Sequence, residues 1–387
     1  MDQPGVVIVG AGHAGFTAAA SLRQKGYAGA VTLVTAEDDL PYQRPPLSKG
    51  YLAGSIGGQR LAFRPADFYE RRRIDLRRGD PAEWIDREAK ALILSSGQSL
   101  RYDRLVLATG STPRTAALPG AELDGVFRLH SRADADTLRE RLAVAHHLVI
   151  VGGGFIGLEL AAHARGQDKD VTVVESTDRL LGRAVSSATS AFFHATHLSW
   201  GCRVLLGSPV AGLVGDGTGR VRGVRLQEGS VLDADLVVVG VGARANTELA
   251  ERSGLSVDNG VMVDAGLRTS DPHVHAIGDC ARYPSGGRTV RYECVENAVG
   301  QAHTVAEELT TGRPQNYRRI PSFWSDQQDL KLQIAGDSTG HDRAVVQGDP
   351  AEGSFAVRCF RGATLVAVES VNRPSDHVSA RQQLQPA

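Results

Sequence analysis

Two short glycine-rich segments contain the residues whose types and spacing most clearly predict chemistry. The first reads V-V-I-V-G-A-G-H-A-G over residues 6–15, and the second reads L-V-I-V-G-G-G-F-I-G-L-E over residues 148–159. In each segment an apolar run typical of a buried strand leads into three glycines and then into a helical pattern. Because the start of a helix presents free backbone N–H groups, such a turn can bind the pyrophosphate of a dinucleotide.

The spacing G-x-G-x-x-G occurs in both segments. Its glycines are Gly10, Gly12, Gly15, Gly152, Gly154 and Gly157. One match would be weak evidence, because glycine turns are common. Two matches favour two nucleotide-binding units, since a single Rossmann fold normally carries the pattern only in its first half. Later in each repeat, residues 102–110 and 235–242 predict a further buried strand that ends in a glycine turn.

An acidic residue follows the next predicted strand in each repeat. Glu37 takes this position in the first repeat and Glu175 in the second. A carboxylate at this distance from the glycines can accept hydrogen bonds from the hydroxyls of an adenosine ribose. Asp38 and Asp39 are close enough for the assignment to shift by one or two residues, and a solvated acidic turn is the alternative interpretation.

The charge of Glu175 also predicts which pyridine nucleotide binds. Two charges ~4 Å apart in an effective dielectric of ~20 interact by ~4 kcal/mol, so a carboxylate there opposes the 2′-phosphate of NADPH. Arg179 and Arg183 are close enough in sequence to offset part of that repulsion. We expect NADH to be preferred, with Arg183 and Gly242 contributing to its site.

A proline-rich segment, P-Y-Q-R-P-P-L-S-K, occupies residues 41–49. Its prolines fix the backbone repeatedly and make the segment stiff. One interpretation is a rigid connector. The other, which we favour because lysine is rare in this chain, is that the segment holds Arg44 and Lys49 against a ligand.

The bulk composition limits the possible functions. A chain of 387 residues is long enough for two or three domains, and its formal net charge of −1 gives no indication of a nucleic-acid or membrane partner. The cysteines form neither C-x-x-C nor C-x4-C, which argues against a metal site and a redox-active dithiol. The beginning of the sequence lacks the pattern of a secretory signal, and no apolar run approaches the ~20 residues of a membrane span. We therefore expect a cytoplasmic protein.

The last part of the chain contains two smaller signals. Gly278 and Asp279 end a short predicted strand, where a carboxylate suits the binding of a polyol. The run F-W-S-D-Q at residues 323–327 comes before an alternating strand pattern. From there we expect hairpin-like strands and a final polar tail.

Several of these motifs occur together in one family. In chain order they are G-x-G-x-x-G at 10–15, P-P-L-S-K at 45–49, A-T-G at 108–110, G-G-G-F-I-G-L-E at 152–159, T-S-D-P at 269–272, A-I-G-D at 276–279 and F-W-S-D-Q at 323–327. This ordered set, which covers nearly the whole chain, resembles the FAD-dependent, NADH-linked ferredoxin reductases of bacterial oxygenase systems. Putidaredoxin reductase and the biphenyl dioxygenase ferredoxin reductase are examples. Rubredoxin reductases and apoptosis-inducing factor are relatives of that family.

The resemblance implies an α/β fold like that of glutathione reductase, with two Rossmann-like dinucleotide-binding domains and a C-terminal α+β domain. It implies a discontinuous FAD domain at 1–113 and 246–318, an NADH domain at 114–245 and an interface domain at 319–387.

The resemblance also implies roles for individual residues. For FAD these residues are Gly10, Gly12, Gly15, Glu37, Arg44, Pro45, Lys49, Thr109, Gly110, His130, Gly278, Asp279, Val295 and Trp324. For NADH they are Gly152, Gly154, Gly157, Glu159, Glu175, Arg183 and Gly242. Lys49, Glu159 and Trp324 would be catalytic, with Glu159 pairing with Lys49. His130 departs from the family, which usually has an arginine that contacts FAD at this position.

The implied activity is hydride transfer from NADH to FAD, followed by single-electron transfer to a [2Fe–2S] ferredoxin that serves a cytochrome P450 or a ring-hydroxylating dioxygenase. A rubredoxin reductase or an NADH oxidase is the alternative enzyme. A redox-dependent binding protein like apoptosis-inducing factor is the alternative from another class, but neither the marked basic surface nor the targeting segment that it would call for is evident.

Overall fold

The structure, a computed structural model, describes residues 4–114 and 118–384. Its first unit is built on a five-stranded parallel sheet. In spatial order the strands are Val274–Ala276, Arg104–Leu107, Gly5–Val9, Ala30–Val34 and Ile74–Arg77. The strand of the first glycine segment lies at the centre and is buried along its whole length, which explains its continuous apolar sequence.

The second unit repeats this arrangement with a second five-stranded parallel sheet. In spatial order its strands are Arg203–Leu205, Asp170–Val174, His147–Val151, Leu236–Val239 and Val126–Phe127. The strand of the second glycine segment is again central. In both sheets it lies between the strand that comes next along the chain and a later strand that returns to it. The internal repeat predicted from the sequence is therefore a repeat of topology.

The repeat extends to a small antiparallel sheet inserted before each returning strand. In the first unit its strands are Ala82–Asp86, Ala91–Leu94 and Ser99–Arg101. In the second unit they are Val210–Gly215, Val221–Leu226 and Val231–Asp233. The first unit contains one further small sheet, formed by Val261–Met262, Ala281–Ser285 and Arg288–Val290.

Helices cover the parallel sheets. His13–Gln24 packs against the long helix Val295–Thr311 in the first unit, and Phe155–Arg165 follows the glycine turn of the second. The other α-helices of the two units are Gly58–Leu61, Ala66–Arg71, Arg132–Val144, Ser187–Ser199 and Glu248–Arg252. Short 3₁₀ helices form at Pro45–Ser48 and Gly278–Cys280. The proline segment thus ends in a helical turn that leads directly to Lys49.

The chain passes between the two units along a pair of short antiparallel strands, Ser111–Pro113 and Ala243–Ala245. The strands lie close to the expected domain boundaries at residues 113 and 245. The exact boundaries, including the one at residue 318, stay a prediction.

The C-terminal unit is a five-stranded antiparallel sheet with one helix packed on it. In spatial order its strands are Ser322–Gln327, Leu330–Gly336, Thr364–Val371, Ser354–Arg361 and Arg343–Asp349. A 3₁₀ turn, Pro350–Glu352, joins two of them.

The polar tail expected after this sheet is instead the α-helix Pro374–Gln383. Pro374 begins the helix and Asp376 lies in its first turn, both of which favour a helix start. The helix was missed because its composition is too polar to show an apolar period. The three residues after Leu384 lie outside the described part of the chain.

The second unit and the C-terminal unit share one hydrophobic core. Phe193 and Leu158 of the second unit belong to the same buried cluster as Leu332 and Phe355 of the C-terminal sheet. The rings of Phe192 and Phe355 meet edge to face, with centroids 4.9 Å apart. These two units are therefore packed as one body.

The predicted fold class, two Rossmann-like units and a C-terminal α+β unit, is confirmed. Within residues 4–114 and 118–384, no helix is both long and apolar enough to cross a membrane.

Candidate functional site

The first glycine of each turn is required by the backbone. Gly10 has φ +102° and Gly152 has φ +110°, values that residues with a side chain rarely adopt. A Cβ at Gly10 would also lie 2.1 Å from the carbonyl oxygen of Ala108, and one at Gly152 would lie 2.4 Å from that of Gly240. In both units this glycine lets the turn pass against the returning strand.

The third glycine of each turn is required by packing. A Cβ at Gly15 would lie 1.7 Å from the carbonyl oxygen of Gly10, and a Cβ at Gly157 would lie 2.4 Å from that of Gly152. The helix can therefore approach the turn only when this position has no side chain.

Neither the backbone conformation nor the packing of the described residues requires a glycine at the middle position of each turn. A Cβ at Gly12 or at Gly154 would have no atom of the described residues within 4 Å, apart from its chain neighbours and the backbone of its own helix. Both residues have negative φ and form the N-caps of the helices His13–Gln24 and Phe155–Arg165. Glycine has no side chain to accept from the first N–H groups of the helix, so these donors face open space. The space and the donors fit a phosphate group that approaches the backbone closely.

A small groove lies beside Gly12 in the first unit. Gly12, Thr35, Glu37, Tyr42 and Arg44 are among its lining residues. Tyr42 Oη donates to Glu37 Oε2 at 2.5 Å, and Arg44 Nη2 lies 2.6 Å from Glu37 Oε1. The carboxylate is thus fixed next to the middle glycine and retains lone pairs for further donors, as ribose binding requires.

Arg44 also fixes the segment that contains His130. Its Nη1 donates to the carbonyl oxygen of His130 at 2.7 Å, just before the helix Arg132–Val144. Burial, followed by the nearby charge of Arg44, lowers the pKa of His130, so its ring is neutral at neutral pH. In this structure His130 contributes its backbone carbonyl to the site.

Asp279 lies in the first unit, and among residues 4–114 and 118–384 its carboxylate has Ser111 as its side-chain hydrogen-bond partner. Ser111 Oγ lies 3.2 Å from its Oδ2. Burial, together with the nearby carboxylate of Glu293, raises the pKa of Asp279 to about 6. The preceding residue, Gly278, has φ +76° and donates its N–H to Gln301 on the helix Val295–Thr311. Val295 begins that helix, so its N-terminal end and Asp279 are fixed relative to each other.

The remaining glycine turns lie on the returning strands. In the first unit, Gly110 has φ +70°, and Thr109 Oγ1 donates to the carbonyl oxygen of Asn246 at 2.7 Å. In the second unit, Gly242 has φ +101°, and a Cβ there would lie 3.2 Å from the guanidinium of Arg183. Arg183 therefore lies beside Gly242, as their common assignment to one site requires.

Glu175 closes the glycine turn of the second unit. Gly153 N–H donates to its Oε2 at 2.7 Å, and Thr177 N–H donates to its Oε1 at 2.8 Å. Burial alone would raise the pKa of Glu175, but these hydrogen bonds lower it below its ordinary value. Glu175 is therefore a negative charge at the edge of the open space around Gly154. Arg179 does not neutralise it, because Arg179 donates to the carbonyl oxygens of Val185 and Gly182.

The three units meet at one buried carboxylate, that of Glu159. Lys49 Nζ of the first unit lies 2.7 Å from Glu159 Oε2, and Ser48 Oγ donates to the same oxygen at 2.5 Å. Ser325 Oγ of the C-terminal unit donates to Glu159 Oε1 at 2.7 Å. Glu159 is 4% exposed, whereas the Lys49 side chain is 19% exposed. The lysine thus connects a buried anion to a partly open space.

The environment of this junction raises the pKa of Glu159. Burial is the largest cause, and Lys49 and the hydroxyls of Ser48 and Ser325 oppose the shift without cancelling it. Removing one partner would leave an uncompensated buried charge, which is strongly destabilising. Lys49 Nζ also donates to the carbonyl oxygen of Pro45 at 3.3 Å, so the 3₁₀ turn Pro45–Ser48 orients the amine.

Trp324 takes no part in these hydrogen bonds. It precedes Ser325 on the strand Ser322–Gln327, so the two side chains face opposite sides of the sheet. Trp324 is half-buried. The structure brings Lys49 and Glu159 together and leaves Trp324 outside their cluster.

Four residues of the site were missed from the sequence. Ser48 and Ser325 lie inside quoted motifs, but the motifs do not tell which way a serine points. Tyr42 contacts Glu37 from the proline segment. His13 begins the first glycine helix, and burial, together with the charge of Arg44, lowers its pKa to about 4. The spacing of His13 within the glycine pattern could have identified it.

Comparisons with protein families match almost the whole chain. The model of the pyridine nucleotide-disulphide oxidoreductases matches residues 4–302, and that of the reductase C-terminal domain matches residues 322–387. Rhodocoxin reductase from Rhodococcus erythropolis is 47% identical over 379 residues, which are 97% of this chain and 88% of that protein. A rubredoxin-NAD(+) reductase from Ectopseudomonas oleovorans is 38% identical over 371 residues, covering 95% of this chain and 96% of that protein.

Solved structures give the same picture. The ferredoxin reductase for the CYP199A2 system from Rhodopseudomonas palustris superimposes with a TM-score of 0.95 and 45% identity, covering 97% of this chain and 93% of that one. The reductase in the covalent putidaredoxin reductase–putidaredoxin complex superimposes with a TM-score of 0.95 and 38% identity, covering 99% of this chain and 93% of that one.

The open space at Gly154 leads to a prediction. Gly154→Ala should fold like the parent protein but bind NADH, the nucleotide expected from the sequence, at least about tenfold more weakly, because its methyl group would fill the space that fits a phosphate. Titration with NADH measures the affinity, and circular dichroism checks the fold. Gly57→Ala is the control, since its Cβ would also enter open space at a helix N-cap with ordinary φ. An unchanged affinity for NADH in Gly154→Ala would contradict the expectation that a phosphate binds at Gly154.

Proposed function

The chain belongs to the pyridine nucleotide-disulphide oxidoreductase family, and from this premise we propose that it is an NADH-dependent flavoprotein ferredoxin reductase. It is an oxidoreductase, and the family implies a flavin and a pyridine nucleotide. The observation that carries the proposal is the pair of open glycine turns, one in each unit, with a buried glutamate paired to a partly exposed lysine between the units.

We assign FAD to the first unit. Gly12 and the first turn of the helix His13–Gln24 bind its pyrophosphate, and Glu37 binds its adenosine ribose. Asp279 would accept from the hydroxyls of the ribityl chain, which the lone pairs of its carboxylate that Ser111 leaves available support. Arg44, Pro45, Thr109, Gly110, His130 and Val295 complete the site.

We assign NADH to the second unit. Gly154 and the helix Phe155–Arg165 bind the pyrophosphate, and Glu175 binds the adenosine ribose. Glu175 repels a 2′-phosphate, and the hydrogen bonds that lower its pKa keep it charged. Arg183 and Gly242 border the same space.

The reactive ends of the two cofactors would meet near Lys49 and Glu159. FAD supplies the redox chemistry, since it accepts a hydride and can release electrons singly. The protein must hold the donor and acceptor atoms at about 3–3.5 Å and exclude water from between them. Lys49 belongs to the first unit and Glu159 to the second, so their ion pair fixes one nucleotide site against the other. Trp324, from the C-terminal unit, is assigned to the flavin side of this space.

The electron acceptor we propose is a [2Fe–2S] ferredoxin that serves a cytochrome P450 or a ring-hydroxylating dioxygenase. Solved structures similar to this chain include a ferredoxin reductase and a reductase bound covalently to putidaredoxin. The similarity to a rubredoxin-NAD(+) reductase makes rubredoxin the second candidate. All four cysteines, which lie in the described part of the chain, are buried and unpaired, so they offer no accessible dithiol for a disulfide substrate.

Stopped-flow reduction of a panel of ferredoxins and rubredoxins tests this function. We expect NADH to reduce the bound flavin, and the reduced protein then to reduce at least one [2Fe–2S] ferredoxin faster than it reduces any rubredoxin. Rapid oxygen consumption with NADH alone, unaffected by any added carrier, would indicate an oxidase and contradict the proposal.

Cofactor preference is predicted to depend on Glu175. Glu175→Gln retains the acceptor oxygen that faces Gly153 but removes the charge. The ratio of kcat/KM for NADPH to that for NADH should therefore rise at least about tenfold. Glu228→Gln, at an exposed turn of the same unit, is the control. A ratio in Glu175→Gln equal to that of the parent would exclude this role.

Lys49 is predicted to matter for the hydride step. Lys49→Ala leaves Glu159 buried without its cation, so the rate constant of flavin reduction at saturating NADH should fall about tenfold or more. Lys25→Ala removes an exposed lysine–glutamate pair and serves as the control. Lys49→Arg, which keeps the charge, should lose less than Lys49→Ala. An unchanged rate constant in Lys49→Ala would show that the pair has no part in this step.

A further inference from the structure

A chain of hydrogen-bonded, buried polar side chains starts at Glu159 Oε1, the carboxylate oxygen that Lys49 does not contact. Ser325 Oγ bonds to Glu159 Oε1 at 2.7 Å, and Gln327 Nε2 donates to Ser325 Oγ at 3.1 Å. Gln327 Oε1 lies 2.8 Å from His197 Nε2, and His197 Nδ1 lies 3.6 Å from Cys202 Sγ. None of these five residues is more than 4% exposed. The flavin and nucleotide sites proposed above do not include His197, Gln327 or Cys202.

The carboxylate determines the direction of every hydrogen bond in this chain. A carboxylate that pairs with lysine only accepts, so the Ser325 hydroxyl must donate to it. Ser325 then accepts from the Gln327 amide N–H₂, which turns the amide oxygen of Gln327 towards His197. That oxygen also only accepts, so His197 must carry its proton on Nε2.

The remaining members of the chain agree with this direction. Burial lowers the pKa of His197, so its ring is neutral and Nδ1 is free to accept. Burial raises the pKa of Cys202 to about 11, so the sulfur keeps its proton and donates it to Nδ1. All the donors therefore point from Cys202 towards Glu159, and such aligned bonds strengthen one another.

The series of hydrogen bonds runs from the second unit into the C-terminal unit and back to the second unit. His197 lies on the helix Ser187–Ser199 of the second unit, and Glu159 lies on Phe155–Arg165 of the same unit. Ser325 and Gln327 lie on one face of the C-terminal strand Ser322–Gln327, two residues apart. The C-terminal strand thus connects two helices of the second unit through hydrogen bonds.

The same helix is attached to the C-terminal sheet at its other end. Ser186, its N-cap, donates its N–H and its hydroxyl to the carboxylate of Glu369, at 2.7 and 2.6 Å. Glu369 is fully buried on the strand Thr364–Val371. Because both ends of the helix Ser187–Ser199 are attached to the C-terminal sheet, His197 cannot shift without breaking buried hydrogen bonds.

We propose that Ser325, Gln327 and His197 are positioning residues that orient the Glu159 carboxylate for its ion pair with Lys49. Glu159 Oε1 receives Ser325 and Oε2 receives Lys49, so the serine fixes the rotation of the carboxylate that presents Oε2 to the amine. The consequence for hydride transfer rests on the proposed function. The direction of the hydrogen bonds from Cys202 to Glu159 does not depend on that function.

The direction of the hydrogen bonds is tested by nuclear magnetic resonance of the holoenzyme labelled with ¹⁵N at its histidines, which reports the protonation of the His197 ring. We expect the His197 ring to be neutral with its proton on Nε2, and we expect its signals to shift in Gln327→Leu. A His197→Phe spectrum assigns the signals, because it lacks them. A proton on Nδ1, or His197 signals that Gln327→Leu leaves unchanged, would overturn the proposed direction of the chain.

The positioning role is tested by stopped-flow flavin reduction. Ser325→Ala should lower the rate constant at saturating NADH about tenfold, with an unchanged dissociation constant for NADH, because only the orientation of a charged group is lost. Gln327→Leu should act in the same direction, and Ser325→Thr, which keeps the hydroxyl, should restore most of the rate. Ser322→Ala is the matched control, a buried serine of the same strand that bonds to His377.

The two possible failures can be distinguished. If NADH does not reduce the flavin of the parent protein, the proposed function is contradicted. The direction of the hydrogen bonds would then be decided by the resonance experiment alone. A parent protein that reacts with NADH, while Ser325→Ala and Gln327→Leu react equally fast, would contradict the positioning role and leave the proposed function intact. Lower thermal stability of these variants with unchanged rates would mean that the chain is only structural.

Discussion

A buried carboxylate from the second unit, Glu159, receives donors from all sides of the junction. Lys49 and Ser48 approach from the first unit and Ser325 from the C-terminal unit. A charge in this position is costly unless each of its oxygens is satisfied, so the three units must keep their relative positions for the site to exist. The constraint explains why the proline segment ends in a rigid turn directly before Ser48 and Lys49. It is also consistent with the hydrophobic core that the second unit shares with the C-terminal sheet.

The rest of the architecture supplies two open glycine turns, which are the two proposed nucleotide sites. Four of the five strands follow the same order in the two parallel sheets, and each sheet places a glycine turn at the end of its central strand. Gly12 and Gly154 are open, whereas the glycines on either side of each are required by the backbone or by packing. The fold therefore requires the first and third glycines of each turn, and the middle glycine is the one whose open space fits the proposed phosphate. The position of the acidic residue differs between the two repeats. Glu175 directly follows its strand, whereas Glu37 comes three residues after the end of its strand.

The sequence predicted the parts of the structure that local patterns determine. The glycine spacing identified both turns, and the apolar runs identified their strands, because such signals lie within a few residues of one another. The chain from Glu159 to His197 could not be predicted in this way. Ser325 is 166 residues from Glu159, and Gln327 is 130 residues from His197, so only tertiary packing brings them together. The helix Pro374–Gln383 was missed for a different reason, since its sequence carries start signals but little apolar periodicity.

A double-mutant cycle between Lys49 and Glu159, measured as the rate constant of flavin reduction by saturating NADH, tests the central claim most directly. The claim is that the two side chains act as one unit that holds the two nucleotide sites together. If so, Lys49→Ala combined with Glu159→Gln should be no slower than the slower single variant, because the second change removes a partner that is already lost. If the fold-losses of the two single variants instead multiply in the double variant, Lys49 and Glu159 act separately, which would contradict the claim.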